Sequence, residues 1–243
     1  MVKNIFLSLF FVFFFMQCSA KIHIFGDSHA SFCFSNERTA IPRNEHSFYK
    51  YTMQEKSIAV EFIIHWFESK TMFRIGRDGL GILNLKNFGV KNNDAAVFVF
   101  GEIDARCHIG KQCDVSKRAL VEVIDTLARN FLETIQKNRT TFEKLYCVIV
   151  SVTPPTNNHY NWVYPYYGSI EDRVAITRQL NSKLKDLSAD YGFDFLDIYS
   201  LYATSDGILD DNVGDGVVHV NAHQNDKIKQ KLLNLLRTKY SLF

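Results

Sequence analysis

The sequence predicts an α/β fold, a three-layer α/β/α sandwich around a mainly parallel five-stranded sheet. Three observations lead there. Five short runs are apolar on nearly every residue. Amphipathic stretches of helical period lie between the later runs. Polar, chemically capable residues gather just after the runs end.

The runs are residues 22–25 (IHIF), 58–66 (IAVEFIIHW), 95–100 (AAVFVF), 145–152 (LYCVIVSV) and 193–198 (FDFLDI). Most are apolar on both faces, as strands of a parallel sheet covered by helices must be. In SKRALVEVIDTLARNFLETIQKN, Leu120, Ile124, Leu127, Phe131 and Ile135 recur at helical steps, with Ser116 placed to cap the N-terminus. A second helix runs from Ser169 to Gly192, and a third over about 222–238 with Ile228, Leu232 and Leu235 on one side. Strand-helix alternation of this kind gives a sheet with helices on both faces.

The chain has 243 residues, 47% of them hydrophobic, enough for one large core. No Pro/Gly/Ser-rich linker or repeat divides it, so residues 21–243 are expected to form a single domain. The net charge is +2, from 28 basic and 26 acidic residues, with no basic run that would suit a nucleic acid. No metal-ligand spacing, P-loop or dinucleotide fingerprint is present.

Residues 1–20 differ. Lys3 precedes a Phe-rich apolar block from Ile5 to Met16, then Cys18 and Ala20 stand at the −3 and −1 positions of a cleavage site. This is the layout of a signal peptide, which implies a secreted or periplasmic chain without membrane contact after cleavage. An uncleaved N-terminal anchor is the alternative, although the block is short for a membrane span. Of the four cysteines left, Cys107 and Cys113 lie in a loop-like stretch and are expected to pair; buried thiols are the competing reading. Asn138-Arg139-Thr140 is a glycosylation sequon.

Ligands of open parallel sheets bind beyond the carboxyl ends of the strands. Ser28 stands there after the first run, in IFGDSHASF. On Gly26-Asp27-Ser28 alone two readings stand: a turn with a helix cap, or a nucleophile raised above the sheet. DGVVHVN, residues 215–221, supplies His219 as a base and Asp215 to orient its ring.

At this point the chain resembles the SGNH/GDSL hydrolases. IFGDSHASF looks like their first block and Asp-Gly-Val-Val-His-Val-Asn like their last. FVFGEIDARCHIG falls at the place of the third, as a GEID-x-R variant. The resemblance spans about residues 21–240 and implies a flavodoxin-like fold, no metal or other cofactor, Ser28 as nucleophile and His219 as base. Two departures stand out. Three residues separate Asp215 from His219 where the family usually has two. GEID also lacks the Asn that binds the oxyanion. If GEIDAR continued the strand, Glu102, Asp104 and Arg106 would share one side, with Arg106 facing the cleft. A structural ion cluster is the equal alternative. For a backbone oxyanion donor, Gly79 is preferred over Gly76, both from FRIGRDGLGILNL. His23 and His65, in strand-like runs, are expected to be core or surface residues. In HYNWVYPYYG, Trp162, Tyr164, Tyr166 and Tyr167 form either a sugar-stacking surface or a lid.

The function expected is therefore an exported serine esterase. Its substrate would be a small-molecule or carbohydrate ester, with a small acyl group on a carbohydrate as the leading case. The alternatives are a sugar O-acyltransferase and a non-catalytic carbohydrate-binding protein on the same fold.

Overall fold

The computed structural model describes residues 20–35, 47–55, 58–68, 70–157 and 163–242. The signal-peptide expectation falls, but for Ala20, outside the described residues, as does Trp162. The elements in order are β1 (Ile22–Gly26), α1 (Ser28–Phe34), β2 (Ser47–Glu55), β3 (Ile58–Trp66), α2 (Met72–Asp78), β4 (Ala95–Val99), α3 (Ile109–Ser116) and α4 (Leu120–Arg139). They continue with β5 (Tyr146–Val150), α5 (Ile170–Asp190), β6 (Asp194–Leu196), α6 (Tyr199–Tyr202) and α7 (Asp226–Tyr240).

Among the described residues the sheet has six strands, in the order β2-β3-β1-β4-β5-β6. Only β2 runs antiparallel; every other neighbouring pair is parallel. The expected five strands are all present, and β2 is the addition. Among the described residues it is an edge strand that pairs with β3. Tyr49, Tyr51 and Met53 lean on the core while Lys50, Thr52 and Gln54 face out, an alternation that carries no continuous apolar run.

Strand side chains alternate between the two faces. Ile22, Ile24, Val97, Val99, Val148 and Val150 pack with α1, α6 and α7. Phe25, Ala96, Phe98, Cys147 and Ile149 pack with α2, α4 and α5 on the other face. The runs read as apolar throughout because both faces are covered. Burial of one such Phe or Ile contributes about 1.5–3 kcal/mol. His23 and His65 belong to this interior: both are buried, and His23 Nδ1 lies 3.0 Å from His65 Nε2.

The chain passes from β1 out to β3, then returns to the other side of β1 as β4. The connections leaving the carboxyl ends of β1 and β4 therefore diverge to opposite faces, and a crevice opens between them. Gly26 sits at its base. A Cβ on Gly26 would lie 2.3 Å from the Val99 carbonyl oxygen and 2.7 Å from Ala30 Cβ, so only glycine fits this approach of β1 to β4.

Several local expectations need correction. Residues 102–116 are helical, with a π-helical turn over Asp104–His108, so GEIDAR does not extend β4. Cys107 and Cys113 are free thiols on this one helical run, separated by roughly 9 Å of helix rise. That is too far for a disulfide, whose Cα atoms lie within about 7 Å. Ser116 closes α3, donating to the Gln112 carbonyl, and Ala119 occupies the N-cap of α4. Ser169 does cap α5, in a capping box with Asp172.

The Asn138 sequon is structural. Its side chain is 1% exposed, accepts from the Leu85 N–H (2.9 Å) and donates to the Leu83 (2.8 Å) and Thr134 (3.0 Å) carbonyls. It ties the 83–85 segment to α4 and is out of reach of a glycosyltransferase in the folded chain. Replacing Asn138 by Ala takes this partner from the buried Leu85 N–H and Leu83 carbonyl, while the Thr134 carbonyl keeps its helical bond. The variant should lose about 2–3 kcal/mol of stability in urea titration. An unchanged midpoint would contradict this role.

Candidate active site

The turn after β1 places three polar side chains in succession. Asp27 caps α1, its Oδ1 accepting from the His29 N–H at 2.9 Å. Ser28 is the first residue of α1, so its own N–H is among those a helix leaves unpaired at its start. His29 turns back inward and is 3% exposed.

His219 reaches Ser28 from the other end of the sequence. Ser28 Oγ lies 2.9 Å from His219 Nε2, and His219 Nδ1 lies 2.9 Å from Asp215 Oδ2. The extra residue between Asp215 and His219 is absorbed by a tight loop. Gly214 bridges Val220, the Asp215 N–H donates to the His219 carbonyl at 2.9 Å, and Gly216 takes φ +77°. That left-handed conformation suits glycine. Asp215 Oδ1 accepts from the Val217 (2.8 Å) and His219 (3.0 Å) N–H groups, which fixes the carboxylate while Oδ2 holds the ring.

The ring of His219 is enclosed. Phe32, one turn along α1 from Ser28, stacks on it at 4.0 Å and 7°. Tyr164 meets it edge-on at 5.8 Å, and the His29 ring lies 4.6 Å away. Sequence reasoning missed Phe32 and His29, although both stand within four residues of Ser28 and a helix brings i and i+4 to one face.

The charges around it are strongly shifted. Burial opposes ionisation of Asp215, but the hydrogen bond and charge of His219 and two backbone N–H groups prevail, and its carboxyl is lowered to about 2. Burial holds His219 below its ordinary value; the His29 charge adds to this and Asp215 works against it. Burial would also lower His29, but its hydrogen bond and attraction to Asp27, with the charge of Glu102, raise it to about 9.

The GEID-x-R stretch does two jobs. Asp104 Oδ2 accepts from the Met72 N–H at 2.7 Å and Oδ1 from the Phe73 N–H at 3.3 Å, so Asp104 caps α2 from outside. Arg106 donates from Nε to Glu102 Oε1 at 2.6 Å and from Nη1 to the Pro165 carbonyl. Its guanidinium lies 5.8 Å from the Tyr164 ring, and its own carbonyl accepts from the Tyr167 N–H at 2.9 Å. Arg106 thus anchors the tyrosine loop beside His219. Tyr166 lies under Arg173 at 4.3 Å, and Tyr167 donates to Asp114.

The two candidate oxyanion glycines do not join the site. Gly76 lies inside α2, where its Cα packs on Asn130 and Phe131 of α4. Gly79 ends α2, about 10 Å of helix beyond the terminus that Asp104 caps. Gly76 serves packing, and Gly79 supplies the positive φ (+57°) that ends α2. Among the described residues, no group of three or more His, Cys, Asp or Glu side chains is arranged to hold a metal ion. A groove of about 620 Å³ between α2, α3 and α4 includes neither Ser28 nor His219.

No protein-family model and no curated protein matches the sequence. The fold is that of the SGNH/GDSL hydrolases. A GDSL-like lipase from Bacteroides thetaiotaomicron is similar at TM-score 0.57 and 12% identity, over 92% of this chain and 90% of that one. A carbohydrate acetylesterase from Sinorhizobium meliloti is similar at TM-score 0.55 and 11% identity, over 91% and 100%. An aryl esterase from M. smegmatis gives 0.51 and 13%, over 90% and 99%.

The raised His29 makes stability depend on pH. The folded chain holds this proton up to about 9, the unfolded chain only to about 6.5. The contribution is fully present below pH 6.5 and is lost as pH rises through 9. Urea midpoints should fall between pH 6.5 and 9.5 in the native chain and fall less in His29→Gln. Equal slopes in the two proteins would contradict the assignment.

Proposed function

We propose that this chain is a serine esterase that removes a small acyl group from a carbohydrate. The observation that carries the proposal is the unbroken contact chain Ser28 Oγ to His219 Nε2 (2.9 Å) and His219 Nδ1 to Asp215 Oδ2 (2.9 Å) at the carboxyl end of β1. Enclosure of the His219 ring by Phe32 and Tyr164 supports it, because it limits the ring to one orientation.

In this mechanism Ser28 Oγ attacks the ester carbonyl carbon as His219 Nε2 takes its proton. The oxyanion forms beside the Ser28 N–H at the start of α1. The C–O bond to the alcohol then breaks, and His219 returns the proton to the departing oxygen. Water attacks the acyl-Ser28 ester, gives its proton to His219, and the acid leaves as Ser28 regains the proton. Asp215 keeps Nδ1 protonated, so that Nε2 is the basic nitrogen, and balances the imidazolium that forms. Loss of the usual Asn donor would slow turnover by about 100- to 1000-fold, so a modest rate is expected unless substrate contacts compensate.

The carbohydrate preference rests on Tyr164, whose ring meets His219 edge-on, on its neighbours Tyr166 and Tyr167 in the same loop, and on the likeness in fold to a carbohydrate acetylesterase. Export as a chain beginning at Lys21 belongs to the same proposal and rests on the pattern of residues 1–20.

Hydrolysis of p-nitrophenyl acetate and of acetylated sugars is the test, with Ser28→Ala beside the native chain. The native chain should release acetate, with kcat/KM rising with pH through a value below 6.5 as His219 becomes neutral. Ser28→Ala should retain the fold and lose activity by at least about 1000-fold. Equal rates in the two would remove Ser28 as nucleophile. Transfer of the acetyl group to an added sugar instead of water would make the enzyme a transferase.

A further inference from the structure

Three buried charged side chains beside His219 take no part in the proposed triad. Asp27 is 1% exposed, His29 3% and Glu102 8%. His29 Nδ1 lies 3.2 Å from Asp27 Oδ1, and its Nε2 lies 3.2 Å from the Val218 carbonyl oxygen. Both ring nitrogens therefore face acceptors. A neutral imidazole donates from one nitrogen only; the doubly protonated ring donates from both. The contacts thus select the imidazolium, 4.6 Å from the ring of His219. Glu102 closes the cluster. One oxygen pairs with Arg106, while Glu102 Oε2, Asp27 Oδ2 and Thr153 Oγ1 have no hydrogen-bond partner among the described residues. Asp27, His29, Glu102, Ser151 and Thr153 all line a single cavity of about 10 Å³, roughly the room that one water molecule needs.

We propose that His29 is a positioning residue: an imidazolium charged at neutral pH, held by Asp27 and the Val218 carbonyl, that keeps His219 neutral, with Glu102 as its opposing charge. A base that must accept a proton from Ser28 works only while it is neutral. Asp215 alone would favour its protonation. His29 counters Asp215, so His219 stays ready at a lower pH and returns its proton more readily to the leaving alcohol. Glu102 is the opposing charge because a buried carboxylate favours the protonated form of both rings.

Other groups near His219 fit this arrangement. From α1 it meets Ser28 and His29, from its own loop Asp215, and from the tyrosine loop the ring of Tyr164. Behind them lie the cations Arg106 and Arg173; Arg106 is paired with Glu102, and Arg173 senses the charges of both. The lowered value of His219 and the raised value of His29 agree in direction.

The inference rests on the triad reading, yet its test needs no turnover. Nitrogen-15 NMR of the imidazoles is followed against pH in the native full chain, in His29→Gln and in Glu102→Gln. In the native chain His29 should carry protons on both nitrogens at pH 7. Its replacement by Gln should move the His219 titration up by about one to two pH units. Glu102→Gln should move it down. A merely structural role would not produce shifts of opposite sign. The native spectrum and Glu102→Gln decide the matter even if His29→Gln does not fold. A singly protonated His29 at pH 7, or a Glu102→Gln shift that is absent or upward, would overturn the inference. These shifts in a chain without esterase activity would leave the inference on protonation standing and remove the esterase reading.

Discussion

The close approach of β1 to β4 at Gly26 is the constraint on which the site depends. With the Val99 carbonyl 2.3 Å from where a Cβ would stand, the chain leaves β1 hard against its neighbour. The next residue, Asp27, caps α1, and Ser28 emerges at the divide between the two helical layers. A bulkier residue at 26 would push the strands apart and move Ser28 relative to His219. A displacement of about 1 Å in such a contact is enough to matter for catalysis. The packing of the sheet and the geometry of the site are thus one requirement.

The second half of the site is built on charge. Asp215 takes two backbone N–H groups and one imidazole N–H, which satisfies a carboxylate that burial would otherwise penalise. Across the His219 ring, Asp27 and His29 form another buried pair. Around these stand the capping Asp104 and the Glu102–Arg106 pair. Much polar interior is concentrated at one end of an otherwise apolar sandwich, and an apolar core of that size supports it.

What the sequence made legible follows from periodicity and from order along the chain. The five parallel strands are visible because both of their faces are buried. Ser28 is visible because it follows a strand end, and Asp215 and His219 because they stand together just before the last helix; the three meet within hydrogen-bonding distance. The extra residue before His219 was an open question that only the Gly216 conformation answers. β2 is hidden because an edge strand alternates in polarity. GEIDAR follows an apolar strand directly, and nothing in its composition announces that Gly101 ends the strand and a helix begins. That error placed Cys107 and Cys113 in a loop. Gly76 and Gly79 stand near a strand in sequence but are carried away by α2. His29 and Phe32 went unnoticed because their importance lies in what they touch, and Asn138 because a sequon pattern says nothing of burial.

Everything at this site turns on whether Ser28 is the residue that His219 activates. Exposure of the folded chain to a fluorophosphonate, followed by peptide mass spectrometry, tests it most directly. One phosphonylated site is expected, at Ser28, forming faster as pH rises through the titration of His219 and absent in His219→Ala. A folded chain that takes up no label, or takes it at another residue, would contradict it.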